Sequence, residues 1–184
     1  MLKKILIGLA VVIVAFVILV AVQPSQFSVT RSAAIAAAPG VIFPHVNDVR
    51  KWEAWSPWAK IDPNMKTTYK GPSAGVGAVS AWTGNSDVGE GSMTITESRA
   101  NELVRFRLDF IKPFAGTCNA EFTFKPQGKQ TVVAWSMSGE NSFVCKAVGL
   151  FMNCDKMMCE QFDKGLAQLK AIAESPTATV AQAR

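Results

Sequence analysis

The hydrophobic pattern changes character three times along the chain. From Ile5 to Val22 it has no period: ILIGLAVVIVAFVILVAV is apolar on every side over 18 residues. As a helix this run is ~27 Å long at ~1.5 Å per residue, close to the ~30 Å of a bilayer's hydrocarbon layer. From Phe27 to Gly139 the period is mostly two, and Gly and Asn punctuate runs rich in Val, Thr, Phe and Trp. This predicts strands at Phe27–Ala37, Met65–Tyr69, Gly77–Thr83, Gly91–Ser98, Leu103–Ile111, Thr117–Lys125 and Thr131–Gly139. In the first, Val29, Arg31 and Ala33 share one face. The clearest alternation sets Val104, Phe106, Leu108 and Phe110 against Arg105, Arg107 and Asp109, a strand with one buried and one wet face. After Gly139 the period becomes helical. Val144, Val148, Phe151, Met158, Phe162, Leu166, Leu169 and Ile172 recur in steps of three or four, which predicts one long amphipathic helix ending near Ala173.

Between the first two strands the pattern breaks into short pieces. Pro39 suits a first helical turn, and Pro44 predicts that this helix, Pro39 to Val46, is interrupted. Asp48 is an N-cap candidate for a second short helix running to Trp55. Pro57 then forces a stop, because a residue before proline avoids the helical region. Consecutive strands followed by a helix indicate an α+β fold: a curved antiparallel sheet wrapped around a long C-terminal helix, with an N-terminal transmembrane helix in front. The expected division is 1–22 as a membrane anchor, 23–26 as a linker, 27–174 as the domain, and 175–184 as a disordered tail of small residues.

Charge bears on topology and partners. Lys3 and Lys4 precede the apolar run, and no Lys or Arg follows it before Arg31. By the positive-inside rule the N-terminus stays in the cytoplasm and the domain lies on the extracytoplasmic side of the inner membrane. A cleaved signal peptide would have a shorter apolar core and an Ala-x-Ala-like site, and Gln23-Pro24-Ser25-Gln26 offers none. Beyond Lys3 and Lys4 there remain 17 basic and 14 acidic residues, dispersed and only +3 in sum. That argues against nucleic acid as a partner, which calls for a clustered basic face. The four cysteines, Cys118, Cys145, Cys154 and Cys159, contain no CxxC, and the single histidine, His45, is far from them. No metal site is expected, nor any cofactor. The thiols are expected to pack as small hydrophobes. Were a bridge to form, Cys118 with Cys145 is the pairing least at odds with the spacing.

Several stretches resemble a known family: AAPGVIFPHVNDVRKWEAWSPW after the first strand, YKGPSAGVGAVSAW at Tyr69–Trp82, GEGSMTITE at Gly89–Glu97, KPF at Lys112–Phe114, and FDKGLAQLK at Phe162–Lys170. Together with the element order, these resemble the START-like (SRPBCC) superfamily of polyketide cyclase/dehydrase and lipid-transport proteins, in a membrane-anchored bacterial branch. The resemblance covers about Phe27 to Glu174. It implies a helix-grip fold with an apolar cavity between sheet and helix, in a superfamily that binds lipids, isoprenoids, polyketides or hormones and includes some enzymes.

The expected ligand is therefore an apolar small molecule such as a lipid, fatty-acyl or isoprenoid-like compound. Its presumed wall is Trp82, Met93, Ile95, Phe106, Leu108, Phe110, Phe122, Trp135 and Met137 from strands, with Phe151 and Met158 from the helix. An ordinary solid core would show the same alternation. Three of the five tryptophans stand in KWEAWSPW, residues 51–58. Trp52 and Trp55 share a helical face and are expected to plug the open end of the sheet, since indoles usually bury most of their surface. Trp58, beyond the proline, is placed either in that plug or at the cavity rim. No residue is assigned a catalytic role. His45 has no evident orienting carboxylate except Asp48, and acid–base chemistry requires such geometry. Glycines in GVGA (75–78) and GEGS (89–92) lack the Lys-Ser/Thr of a phosphate loop and are assigned to turns and bulges. The alternatives are a cyclase- or dehydratase-type enzyme acting on a hydrophobic polyketide-like substrate, and an interaction module with a filled core.

Overall fold

A computed structural model describes residues 1–175; the rest of the expected tail lies outside the described residues. The order is α1 (Leu2–Ala21), β1 (Gln26–Ile35), α2 (Pro39–Asn47), two 3₁₀ turns (Val49–Ala54 and Pro57–Lys60), β2 (Lys66–Lys70), β3 (Val79–Thr83), β4 (Glu90–Arg99), β5 (Leu103–Lys112), β6 (Gly116–Gln127), β7 (Gln130–Glu140), α3 (Phe143–Gly149) and α4 (Cys154–Ala173). The seven strands form one antiparallel sheet in the order β1-β7-β6-β5-β4-β3-β2. Register shifts between Glu90 and Gly91 and between Ile95 and Glu97 add the local bend that lets such a sheet curl.

The alternation read from the sequence decides which face is concave. Val104, Phe106 and Leu108 of β5 are buried. On the opposite face Arg105 reaches Glu97 and Glu121 on the flanking strands, each at 2.6 Å. These exposed pairs favour the register but add little stability. The concave face is then covered in parts: α4 lies against β1 and β7, α2 against β6, and the first 3₁₀ turn against β3. Phe162, Leu166 and Leu169 are the buried stripe of α4. Polar contacts clip the helix along β1. Arg31 donates to both carboxylate oxygens of Asp163 (2.8 and 2.6 Å), Lys170 Nζ donates to the Ala34 carbonyl at 2.7 Å, and the Ala36 N–H donates to Glu174 at 2.6 Å.

Gly165 sits where α4 comes closest to the layer beneath it. A Cβ there would stand 2.8 Å from Trp135 Cζ3 and 3.1 Å from Pro57 Cδ. The close approach is to two rings, and it explains a glycine in mid-helix that no cap requires.

Two expectations about the helices are corrected. The C-terminal helix is not continuous, because the chain leaves helix after Gly149 and restarts at Cys154. Both pieces are capped by side chains: Ser142 accepts from the Cys145 N–H, and Asn153 from the Lys156 N–H. An Asn four residues after a Gly is a stop-and-start signal that the running apolar period masks. Second, α2 runs through Pro44 to Asn47. Proline removes one interior hydrogen bond there, and the carbonyls at the far end are well supplied, as described below.

Helix α1 has a single buried residue, Val20. It is long and apolar enough to cross a membrane. All four cysteines are free; Cys118 is buried, whereas Cys145 and Cys154 are exposed, contrary to the expectation of packed thiols.

Candidate functional site

The tryptophan cluster is built on the end of α2. A helix leaves its last four carbonyls without partners inside the helix. Here the Asp48 N–H donates to Pro44 and the Gly75 N–H to Asn47. The two carbonyls between them receive indoles: Trp55 Nε1 donates to His45 at 2.9 Å and Trp52 Nε1 to Val46 at 2.8 Å. Asp48 caps the following turn, accepting from the Arg50 N–H. Trp55 is fully buried, and Trp52 and Trp58 partly so. Trp52 and Trp55 thus act as the plug expected of them.

Beneath them Trp135 of β7 is packed on both faces. Phe162 of α4 stacks on it at 4.0 Å with a 5° interplanar angle, and Phe122 of β6 at 4.7 Å. Trp52, Trp55 and Trp58 meet it edge-to-face at 5.7–6.0 Å, a favoured arrangement of ring quadrupoles. Its buried Nε1–H has no hydrogen-bond acceptor among the described residues.

Beside this stack the sheet and the covering helices do not close. A cavity of about 350 Å³ remains, bounded by strands β2 to β7, both 3₁₀ turns and the start of α4. Of the residues named from the sequence, Trp58, Trp82, Met93, Leu108, Phe110, Trp135, Met137 and Met158 line it. The others lie elsewhere. Ile95, Phe106 and Phe122 are sealed in the core, and Phe151 is 80% exposed, outside the domain's interior. Phe151 falls in the interrupted segment after Gly149, so no helix carries it toward the sheet.

The structure adds wall residues that the sequence reading left out. Thr67 and Tyr69, at alternating positions in β2, and Met65 just before it face the cavity, as do Trp52 and Ser80. Period two was the available signal: Ser80 and Trp82 alternate, and Tyr69 is the register partner of Ser80. Trp82 lies over Gly91, where a Cβ would stand 2.7 Å from its Cζ2, and Phe110 meets it edge-on at 5.8 Å.

The wall is therefore two-sided in chemistry. The side formed by β4, β5, β7 and α4 is methionine, leucine and aromatic rings. On the β2–β3 side are Tyr69 and Ser80, whose hydroxyls make no hydrogen bond among the described residues. Burial, more than the neighbouring carboxylates, pushes the Tyr69 phenol above its ordinary value, so at neutral pH it is a hydrogen-bond donor. Arg50 stands 5.7 Å from the centre of its ring. Two charged groups of the lining are engaged: Asp62 accepts from the Asn64 and Asn85 N–H groups at 2.9 and 2.8 Å, tying two loops together, and Lys112 pairs with Glu90 at 2.9 Å. His45 lies outside the wall. Burial first, and then Lys51, holds its pKa below the ordinary 6.5.

A family model described as polyketide cyclase / dehydrase and lipid transport matches residues 26–174. The chain belongs to this family. The polyketide cyclase / dehydrase and lipid transport fold supports a role in binding hydrophobic ligands, which the mostly apolar cavity fits. Solved structures with similar folds are distant in sequence. Protein CV1439 from Chromobacterium violaceum is 14% identical with a TM-score of 0.59, over 83% of this chain and 99% of that one. The Aha1 dimer from Colwellia psychrerythraea is 17% identical with a TM-score of 0.59, over 80% and 96%. Protein Ms6760 from Mycobacterium smegmatis is 21% identical with a TM-score of 0.56, over 83% and 92%. At these identities the likeness is one of fold. No curated protein matches the chain.

Proposed function

We propose that this protein is a membrane-anchored binding domain for an apolar small molecule with one polar end, of the fatty-acyl or isoprenoid-like kind. The observation that carries the reading is the cavity itself. Its ~350 Å³ falls at the lower end of the ~300–1,000 Å³ usual for small-ligand sites. Its wall is mostly apolar, with charged groups at the rim, and the Tyr69–Ser80 pair supplies two free hydroxyls on one side. An apolar body gains affinity there from buried area, at ~25 cal/mol per Å² before ordering costs. The hydroxyls then orient the polar end. Helix α1 supplies the anchor: Lys3 and Lys4 hold its N-terminus in the cytoplasm, and the domain follows on the extracytoplasmic side.

The test is native mass spectrometry of the full chain released from detergent, with thermal shifts against panels of fatty acids and isoprenoid alcohols. Co-purifying lipid, or a saturable shift, is expected. Leu108→Trp fills the cavity without adding charge and is expected to abolish the shift, at an overpacking cost of ~1–3 kcal/mol. A chain that carries no lipid and responds to no apolar ligand defeats the reading and leaves an interaction module in its place.

A further inference from the structure

The cavity and the anchor meet at one end of the sheet. Gln26 pairs with Glu140, Cys118 with Gly139, and Phe110 with Gly116. The start of β1, the end of β7 and the β5–β6 turn therefore share that end. Lys112 and Pro113 of this turn, with Asp87 and Val88 of the neighbouring loop, belong to the cavity wall. Only Val22–Ser25 separate α1 from β1, a tether of at most ~14 Å when fully extended.

The same end carries uncovered apolar residues. Helix α3 has no buried residue. Phe143, Leu150, Phe151 and Met152 are exposed along α3 and the break after it, and so are Ile111 at the end of β5 and Phe114 on the β5–β6 turn. Soluble surfaces rarely carry so many apolar groups together. What covers them is indicated by α1, which packs against α3, with Phe151 stacked on Phe16 at 6.5 Å. Phe16 is followed by six more apolar residues up to Val22, so it lies ~9 Å inside the apolar run at ~1.5 Å per residue. A group stacked on it shares its depth.

We infer that α3 and the Leu150–Met152 segment are a second membrane-inserting element beside α1, which seats the cavity's mouth on the lipid bilayer. The inference rests on α1 being the anchor. Asn153, Asp155 and Lys156 bring the chain back to the polar interface, where α4 begins and Met158 enters the cavity wall. A ligand drawn from the bilayer enters without crossing bulk water.

The experiment places a bimane label at single cysteines in the full chain, reconstituted into phosphatidylethanolamine/phosphatidylglycerol vesicles. Cys145, Cys154 and Cys159 are replaced by Ser. Cys118 stays, because it is buried and its thiol is pushed up to about 11, hence unreactive. Labels go to Phe151→Cys and Met152→Cys, with Val14→Cys as the in-membrane reference and Lys129→Cys, on the β6–β7 turn at the far end, as the aqueous one. Acyl-chain nitroxide lipids are expected to quench positions 151 and 152 to an extent comparable with position 14, and several-fold more than position 129. Quenching at 151 and 152 by aqueous iodide, equal to that at 129, overturns the inference while leaving the anchor and the ligand reading intact. A label at 14 that sits in water overturns the anchor, and with it this inference. Ligand binding is read separately by mass spectrometry.

Discussion

The polar and apolar parts of the tryptophan cluster can be separated by comparing two indoles that differ in one respect. Trp55 and Trp135 are both fully or almost fully buried and both packed against rings. Trp55 Nε1 donates to the His45 carbonyl, whereas Trp135 Nε1 donates to nothing described. Replacing either by Phe removes a similar volume and leaves an aromatic ring in place, so the packing losses are comparable. Trp55→Phe in addition strands a carbonyl at the end of α2, and an unsatisfied buried group costs ~1–3 kcal/mol. Trp135→Phe instead removes a donor that was already unpaired. Trp55→Phe should therefore be the costlier change by at least ~1 kcal/mol, and Trp55→Ala should cost ~3–5 kcal/mol. The assay is urea unfolding of the full chain in mild detergent, followed by far-ultraviolet circular dichroism and compared at constant slope. Equal losses for the two Phe variants, or a larger loss at Trp135, would refute the claim that Trp55 serves as a cap for α2.

Two further outcomes are expected. Gly165→Ala ought to gain ~1 kcal/mol of helix propensity. Instead it should destabilise by ~1–2 kcal/mol, because its Cβ meets Trp135, clamped between Phe162 and Phe122, and overpacking costs ~1–3 kcal/mol; unfolding midpoints check this, and a stabilised variant would show that the stack yields. For His45, burial favours the neutral ring in the fold. The stability this confers is complete above pH 6.5, the ordinary value, and is lost as pH falls through the lower folded value. Melting temperatures should thus decline on acidification below 6.5, and His45→Gln, which keeps the carbonyl that Trp55 uses, should flatten the decline. Asp109 and Asp163, held low chiefly by hydrogen bonds from Arg107 and Arg31, act in a separate window: their contribution is lost only at more acidic pH.

The sheet was legible because one face is wet. Arg105 and Arg107 between Val104, Phe106 and Leu108 leave a single way to orient β5, and the neighbouring strands repeat the argument. The cavity was legible only in part. Alternation places Phe106, Leu108 and Phe110 on the same face, and of these Leu108 and Phe110 line the cavity while Phe106 is sealed beneath Trp52. That difference depends on where α2 and the 3₁₀ turns sit, which strand periodicity does not encode. Tyr69 and Ser80 were missed for a related reason. Polar side chains in alternating strands are ordinarily assigned to the wet face, and here two of them line the concave one.

The break after Gly149 teaches something more general. Val144, Val148 and Phe151 continue the helical period of Phe162, Leu166 and Leu169, and a period reports only that a face is covered. In α4 the cover is the sheet, at Trp135 and β1. In α3 and the break no buried residue exists, and the helix packed against α3 is itself uncovered except at Val20. A soluble domain would have to repack those side chains or expose them to water at ~25 cal/mol per Å². Under the proposed anchoring neither is needed, because the bilayer would cover both. The cap Asn153 marks the place where the apolar stripe comes under the cover of the sheet. Met158, one turn into α4, is the first residue of that stripe to face the cavity.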